Sequence, residues 1–159
     1  MKTPTPSSIR KNRSFRDIRV ALVAARFNPK ICNNLIAGAQ KALREAGLSA
    51  SQIDLFRVPG SFELPLAAKK CALSGVYQGV ISLGAVIRGE TPHFNYICQA
   101  ASFGITQVSL ETGVPIAFGV ITANSLDQAL ARSRKDRYNK GRGAALAVLE
   151  MIRSLEKMQ

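Results

Sequence analysis

The sequence predicts an α/β fold in which a mostly parallel sheet carries helices on both faces. Three observations lead there. Short apolar runs alternate along the chain with longer stretches whose apolar residues recur at helical spacing. The short runs are almost wholly apolar, as strands covered on both faces are. Glycine and proline mark the boundaries, at Gly47, Pro59-Gly60, Gly113 and Pro115. The resulting order β-α-β-α-β-α-β-α-α calls for right-handed crossovers.

Residues 1–18 read as a flexible basic arm, because Pro4, Pro6, Ser7 and Ser8 fall there and no apolar period is visible. Residues 19–159 read as one domain. Arg19 to Ala25 is a buried strand. Ile31 to Ala46 carries Ile31, Leu35, Ile36, Ala39, Ala42 and Leu43 on one helical face and stops at Gly47. Ile53 to Val58 is a strand ended by Pro59-Gly60. Phe62 to Leu73 is a helix with Ser61 as its N-cap. Gly79 to Ile87 is the next buried strand. About Tyr96 to Thr112 is helical, and Pro115 to Thr122 is the last strand. Asn124 or Ser125 caps a helix to about Ser133. The final helix, about Arg142 to Lys157, places Ala145, Leu146, Val148, Leu149 and Ile152 on one face.

Composition narrows the function classes. The chain of 159 residues is 47% apolar and 20% charged, values of a soluble globular domain. No apolar run reaches the roughly 18 residues of a membrane span. The basic start has no apolar core, so a secretory signal is not expected. Cys32, Cys71 and Cys98 are scattered and odd in number, which points away from a disulfide framework or zinc site and towards a cytoplasmic setting. The formal charge is +12, and nine of these charges come from residues 1–18 and 132–142. A nucleic-acid surface competes with an anion site plus a solvated tail. Without interleaved aromatics or zinc-finger spacing, a nucleic-acid partner is not expected.

In such a fold the chemistry gathers in the loops that follow the strands. After the first strand comes Phe27, either a ring capping the core or one that stacks on a planar substrate. After the second come Ser61, Phe62 and Glu63. Glu63 either favours the helix dipole or accepts hydrogen bonds from a heterocycle. After the third come Arg88, Gly89, Glu90, Thr91 and the only histidine, His93. Backbone N–H groups and a hydroxyl there suit a phosphate, with Arg88 adding charge, and His93 is either structural or a proton carrier. The basic run Arg132 to Arg142 is either a solvated face or, through Arg132 and Lys140, a phosphate holder from a neighbouring subunit. No Gly-x-Gly-x-x-Gly or Walker sequence is present, so a dinucleotide or nucleoside triphosphate site is not indicated.

Taken together, Ala25-Arg-Phe-Asn28, Val58-Pro-Gly-Ser-Phe-Glu-Leu-Pro65, Gly84-Ala-Val-Ile-Arg-Gly-Glu-Thr-Pro-His-Phe94, Pro115-Ile-Ala-Phe-Gly-Val-Ile-Thr122 and Asn139-Lys-Gly141 resemble the lumazine synthase family in order and approximate spacing. The resemblance covers nearly everything from Val20 onward. It implies a flavodoxin-like three-layer sandwich with a four-stranded parallel sheet. It implies rings of five subunits, which some members close into an icosahedral shell, with active sites between neighbours. Association with riboflavin synthase is a further partnership it suggests. The family condenses 5-amino-6-(ribitylamino)uracil with 3,4-dihydroxy-2-butanone 4-phosphate, without metal or organic cofactor. By resemblance, Phe27 stacks on the pyrimidine, and Ser61, Phe62, Glu63, Ala85, Val86 and Ile87 contact heterocycle and ribityl chain. Glu90 and Thr91 cradle the phosphate. Arg132 and Phe118 reach in from the adjacent subunit, and Lys140 lies near the site. His93 is the candidate catalytic residue, since a histidine both gives and takes protons near neutral pH.

Three positions depart from the family pattern. An acid usually follows the histidine–aromatic pair, where this chain has Asn95. Another usually stands at Gly143. The turn before Asn139 is Arg134-Lys-Asp-Arg-Tyr138, without the glycines common in shell-forming members. The alternative to an active enzyme is therefore a catalytically weak paralogue that serves as a lumazine- or flavin-binding assembly.

Overall fold

The computed structural model describes residues 15–159, so most of the expected basic arm lies outside the described residues. Its last part does not stand free: Phe15 and Ile18 are buried in the larger apolar cluster. Gln52 Nε2 donates to the carbonyls of Phe15 at 2.6 Å and Ile18 at 2.7 Å, and the Arg153 guanidinium lies 4.1 Å over the Phe15 ring. The packed body thus takes in residues 15–18 as well as the domain expected from residue 19.

Four strands, β1 (Val20–Ala25), β2 (Ile53–Val58), β3 (Gly79–Ile87) and β4 (Ile116–Ala123), form an all-parallel sheet in the order β2-β1-β3-β4. Among the described residues five helices cover it: α1 (Pro29–Glu45), α2 (Leu64–Leu73), α3 (His93–Thr112), α4 (Leu126–Arg132) and α5 (Lys140–Glu156). Side chains alternate across a strand, so each strand feeds two cores. Val20, Leu22 and Ala24 of β1 pack with α1, α4 and α5, together with Ile81, Leu83 and Ala85 of β3. Ala21 and Val23 face the other way, with Val80, against Leu64, Ala68 and Cys71 of α2 and Ile105 of α3. This is the flavodoxin-like three-layer arrangement. It explains the almost wholly apolar runs of β1 and β3, which have a helix layer on each side.

Several element starts differ from the sequence expectation by one to three residues, and three of them bear on the site. Helix α3 begins at His93, three residues early, because its first turn is exposed and carries no apolar period. Pro92 precedes it at φ −63°, already helical, so the helix needs no apolar residue to start there. The segment from Ser61 starts as a 3-10 turn, Ser61–Glu63, and the α-helix proper begins at Leu64. Ser61 is not its cap: the Gly60 N–H is taken by Glu63 Oε2 at 2.9 Å, and Ser61 Oγ is buried without a hydrogen-bond partner. Helix α5 begins at Lys140, because Asn139 Oδ1 accepts the Arg142 N–H at 3.0 Å and so caps it.

At the edge where the strands begin, Arg19 binds Asp54, and Tyr77 Oη donates to Asp54 Oδ2 at 2.9 Å, tying the starts of β1, β2 and β3 together. The hydrogen bond from Arg19, then that from Tyr77, holds the Asp54 carboxyl below its usual range. The folded form therefore favours the ionised acid. That contribution is present above the unfolded value of about 3.9 and is lost as pH falls through the folded one. Asp54→Asn is expected to lower the unfolding midpoint at pH 7, with the difference from the parent shrinking below about pH 4. A constant difference between pH 7 and pH 3 would show that the carboxylate charge is not what stabilises.

Candidate active site

Because all four strands are parallel, their carboxyl ends open on one edge, and the loops of interest leave from there. Specific bonds draw them together. The Arg26 N–H donates to Val58 O at 2.8 Å and the Phe27 N–H to Pro59 O at 3.1 Å, joining the first loop to the second. Asn28 Nδ2 donates to Ala85 O at 3.0 Å, joining the first loop to β3. Asn28 has φ 57°, the left-handed conformation that asparagine tolerates better than most residues. The second loop reaches β3 through Ser61: a Cβ at Gly84 would stand 2.5 Å from Ser61 Oγ. Glycine at 84 is what allows the 3-10 turn to lie so close.

The pieces so assembled differ in exposure in a useful way. Ala85 is buried and Val86 and Ile87 are half-buried, giving an apolar floor at the end of β3. Phe27 is 72% exposed, so its ring does not cap the core. Phe62, in the second loop, is likewise exposed. Glu63 spends Oε2 on the Gly60 N–H, so the carboxylate is held by the start of its own helix. Glu90, Thr91 and His93 are all exposed at the third loop. Cys32, below this edge, gives its thiol hydrogen to Phe27 O at 3.2 Å; burial pushes the thiol up to about 11, with Arg57 opposing. Such a thiol is no nucleophile at neutral pH. Among the described residues, no three His, Cys, Asp or Glu side chains gather in a way that could hold a metal ion.

An exposed aromatic, an apolar floor, a polar turn and a lone histidine on one edge of a parallel sheet suit a planar substrate beside an anion. The sequence pattern of 6,7-dimethyl-8-ribityllumazine synthase matches residues 17–156. The chain belongs to the lumazine synthase family. Among similar proteins, a 6,7-dimethyl-8-ribityllumazine synthase of Chlorobium phaeovibrioides is 52% identical over 137 residues, covering 86% of this chain and 88% of that one. The enzyme of the same name from Chlorobium luteolum is 49% identical over 145 residues, 91% and 94% of the two chains. One from Salinibacter ruber is 47% identical over 141 residues, 89% and 90%.

One of the remaining candidates, Phe118, lies off the edge that carries the loops. Phe118 pairs with Ser82 in the middle of the sheet, five residues before β4 ends at Ala123. At about 3.3 Å per residue that is roughly 16 Å from the carboxyl edge. Phe118 is 43% exposed on the outermost strand of the sheet. Lys140 starts α5, which packs on α1, and is exposed. Arg132 ends α4, where Nη1 donates to Gln128 O at 3.0 Å.

Three residues turn out to organise the edge, and two of them, Asn28 and Asn139, had no role of their own in the sequence reading. Asn28 locks the Phe27 loop to β3. Asn139 is buried, and its Nδ2 lies within hydrogen-bond distance of the carbonyls of Ser133 at 3.0 Å, Arg134 at 2.9 Å and Asn34 at 3.2 Å. It thereby fixes the basic segment between α4 and α5. Arg88, expected to add charge near a phosphate, instead has its guanidinium engaged by Asn124, Asn95 and the Phe94 ring. The sequence signal for Asn139 was present, since asparagine ahead of a helix is a preferred cap.

Proposed function

We propose that this chain condenses 5-amino-6-(D-ribitylamino)uracil with 3,4-dihydroxy-2-butanone 4-phosphate to 6,7-dimethyl-8-ribityllumazine, with release of phosphate and water. The observation that carries the reading is the family match across residues 17–156, on a sheet whose loops converge at one edge. The exposed Phe27 ring stacks on the pyrimidine, over the floor of Ala85, Val86 and Ile87. Ser61, Phe62 and Glu63 meet the ribityl chain and heterocycle; the unpartnered Ser61 hydroxyl is a polar group in want of a ligand. Glu90 and Thr91 offer backbone N–H groups to the phosphate. Arg132 and Lys140 balance its charge, and Phe118 closes the pocket from the neighbouring subunit.

The chemistry requires an amine to attack a ketone, water and phosphate to leave, and a ring to close. Each step moves a proton, and His93 at the head of α3 gives and takes it. Phosphate departs with its electron pair, so a guanidinium beside it stabilises the charge that develops. Holding the two substrates together supplies much of the remaining acceleration.

The functional unit is an assembly in the cytoplasm, with rings of five as its basic form. Helix α3 supports this reading: Tyr96, Phe103 and Leu110 recur every seven residues and are 68%, 75% and 80% exposed, on the side away from its buried Ala101, Ile105 and Val108. An apolar stripe of this kind needs a cover. No described helix is long and apolar enough to cross a membrane. A non-catalytic lumazine- or flavin-binding role is not favoured, since the chain keeps His93 and the whole ordered set of loops. The test is complementation. In a bacterium lacking its own lumazine synthase, this chain is expected to restore growth without riboflavin. Failure to do so, with folded protein present, would count against the reading.

A further inference from the structure

Arg88 sits where three parts of the site meet. Its backbone N–H donates to Ala123 O at 2.9 Å, continuing the β3–β4 ladder past the end of the sheet. Its Nε donates to Asn124 Oδ1 at 2.9 Å, and its Nη1 to Asn95 Oδ1 at 3.3 Å. The Cζ atom lies 4.3 Å over the Phe94 ring. Phe94 and Asn95 are the two residues after His93, in the same first helical turn. Asn124 leads onward: its N–H donates to Gln128 Oε1 at 2.9 Å, and Gln128 O accepts from Arg132 Nη1 at 3.0 Å. A continuous set of contacts therefore runs from the His93 turn, through Arg88, to Arg132.

We infer that Arg88 is a positioning residue, which holds the His93 turn of α3 against the β4–α4 connection and does not itself bind phosphate. A planar fork with several donors can engage two amide oxygens and a ring face at once; an ammonium cannot. Among the described residues no carboxylate pairs with Arg88, so its contacts are set by geometry, not by charge pairing. Asn95 matters here: as an amide it accepts from Arg88 without neutralising it. Among the described residues no other hydrogen bond ties the first turn of α3 to the end of β4, and small displacements of a proton carrier are costly in rate.

This inference rests on the proposed condensation, and one set of steady-state measurements separates the two. The parent chain, Arg88→Lys and Arg88→Met are assayed with both substrates. A positioning role predicts that kcat falls about 10-fold in both variants, while the KM for the butanone phosphate moves less than about 2-fold. The lysine variant decides the point, because it keeps the charge and loses the fork. A direct phosphate contact predicts the reverse: KM rises in Arg88→Met, and Arg88→Lys restores it. That result, or a parent-like kcat in Arg88→Lys, overturns the inference. Should Arg88→Met not fold, Asn124→Ala removes one acceptor with Arg88 in place, and is expected to lower kcat about 3-fold, within the range for a displaced catalytic group; an unchanged kcat there also overturns it. A parent chain that forms no lumazine removes the condensation itself, and the inference with it.

Discussion

His93→Ala is expected to slow lumazine formation by about 10- to 1000-fold, the usual range for a positioned acid–base group. The size of this effect is instructive because the structural cost of the change is small. The imidazole is exposed, and among the described residues no hydrogen-bond or charged partner holds it. Exposed substitutions of this type shift stability by about 0.5 kcal/mol or less. Substrate affinity should survive as well, since the proposed stacking on Phe27 and the proposed phosphate contacts are untouched. Steady-state rates, set beside a thermal unfolding curve, check both halves of this statement. The acceleration that persists measures what holding the two substrates together achieves on its own. Unchanged turnover in His93→Ala would remove this residue from the mechanism.

Gly141→Ala is expected to destabilise the fold by about 2 kcal/mol. Helices α1 and α5 cross so closely here that a Cβ at residue 141 would lie 2.0 Å from Leu35 O and 2.7 Å from Leu35 C. These are backbone atoms, so no side-chain rotation relieves the clash and the helices must separate. Overpacking of this kind costs about 3 kcal/mol, against about 1 kcal/mol gained from alanine's helix preference. Gly143, two residues along the same helix, is the control, because a Cβ there meets nothing within 4 Å. Gly143→Ala should be neutral or stabilising by up to about 1 kcal/mol. Thermal unfolding should therefore separate the two alanine variants by about 5 to 10 °C. Equal midpoints would contradict the close crossing. The change at 141 should also loosen Asn139, and with it the segment that carries Arg132 and Lys140.

Much of this was legible in the sequence, for identifiable reasons. Strand β3 was expected at Gly79–Ile87 and is found there, because a fully covered strand between Gln78 and Arg88 leaves no ambiguity of period. The family resemblance, carried by five ordered motifs, agrees with the match over residues 17–156. The start of α3 was missed because its first turn is solvent-exposed, and periodicity reports only burial. Ser61 read as a cap because serine before a helix usually is one. Its actual place under Gly84 is a tertiary contact between residues 23 apart, which no local pattern encodes. Arg88 read as a charge, and its work as a clamp depends on Asn124, 36 residues away. Phe118 lies in mid-strand, five residues before β4 ends, so the fold of one chain does not bring it to the loops.

The most direct test of the account is lumazine formation by the purified chain. Ribitylaminouracil and butanone phosphate are mixed with and without protein, and lumazine absorbance and free phosphate are followed together. The account predicts a rate well above the uncatalysed condensation, with one phosphate released for each lumazine formed. Folded, assembled protein that leaves the rate at the uncatalysed value would contradict it.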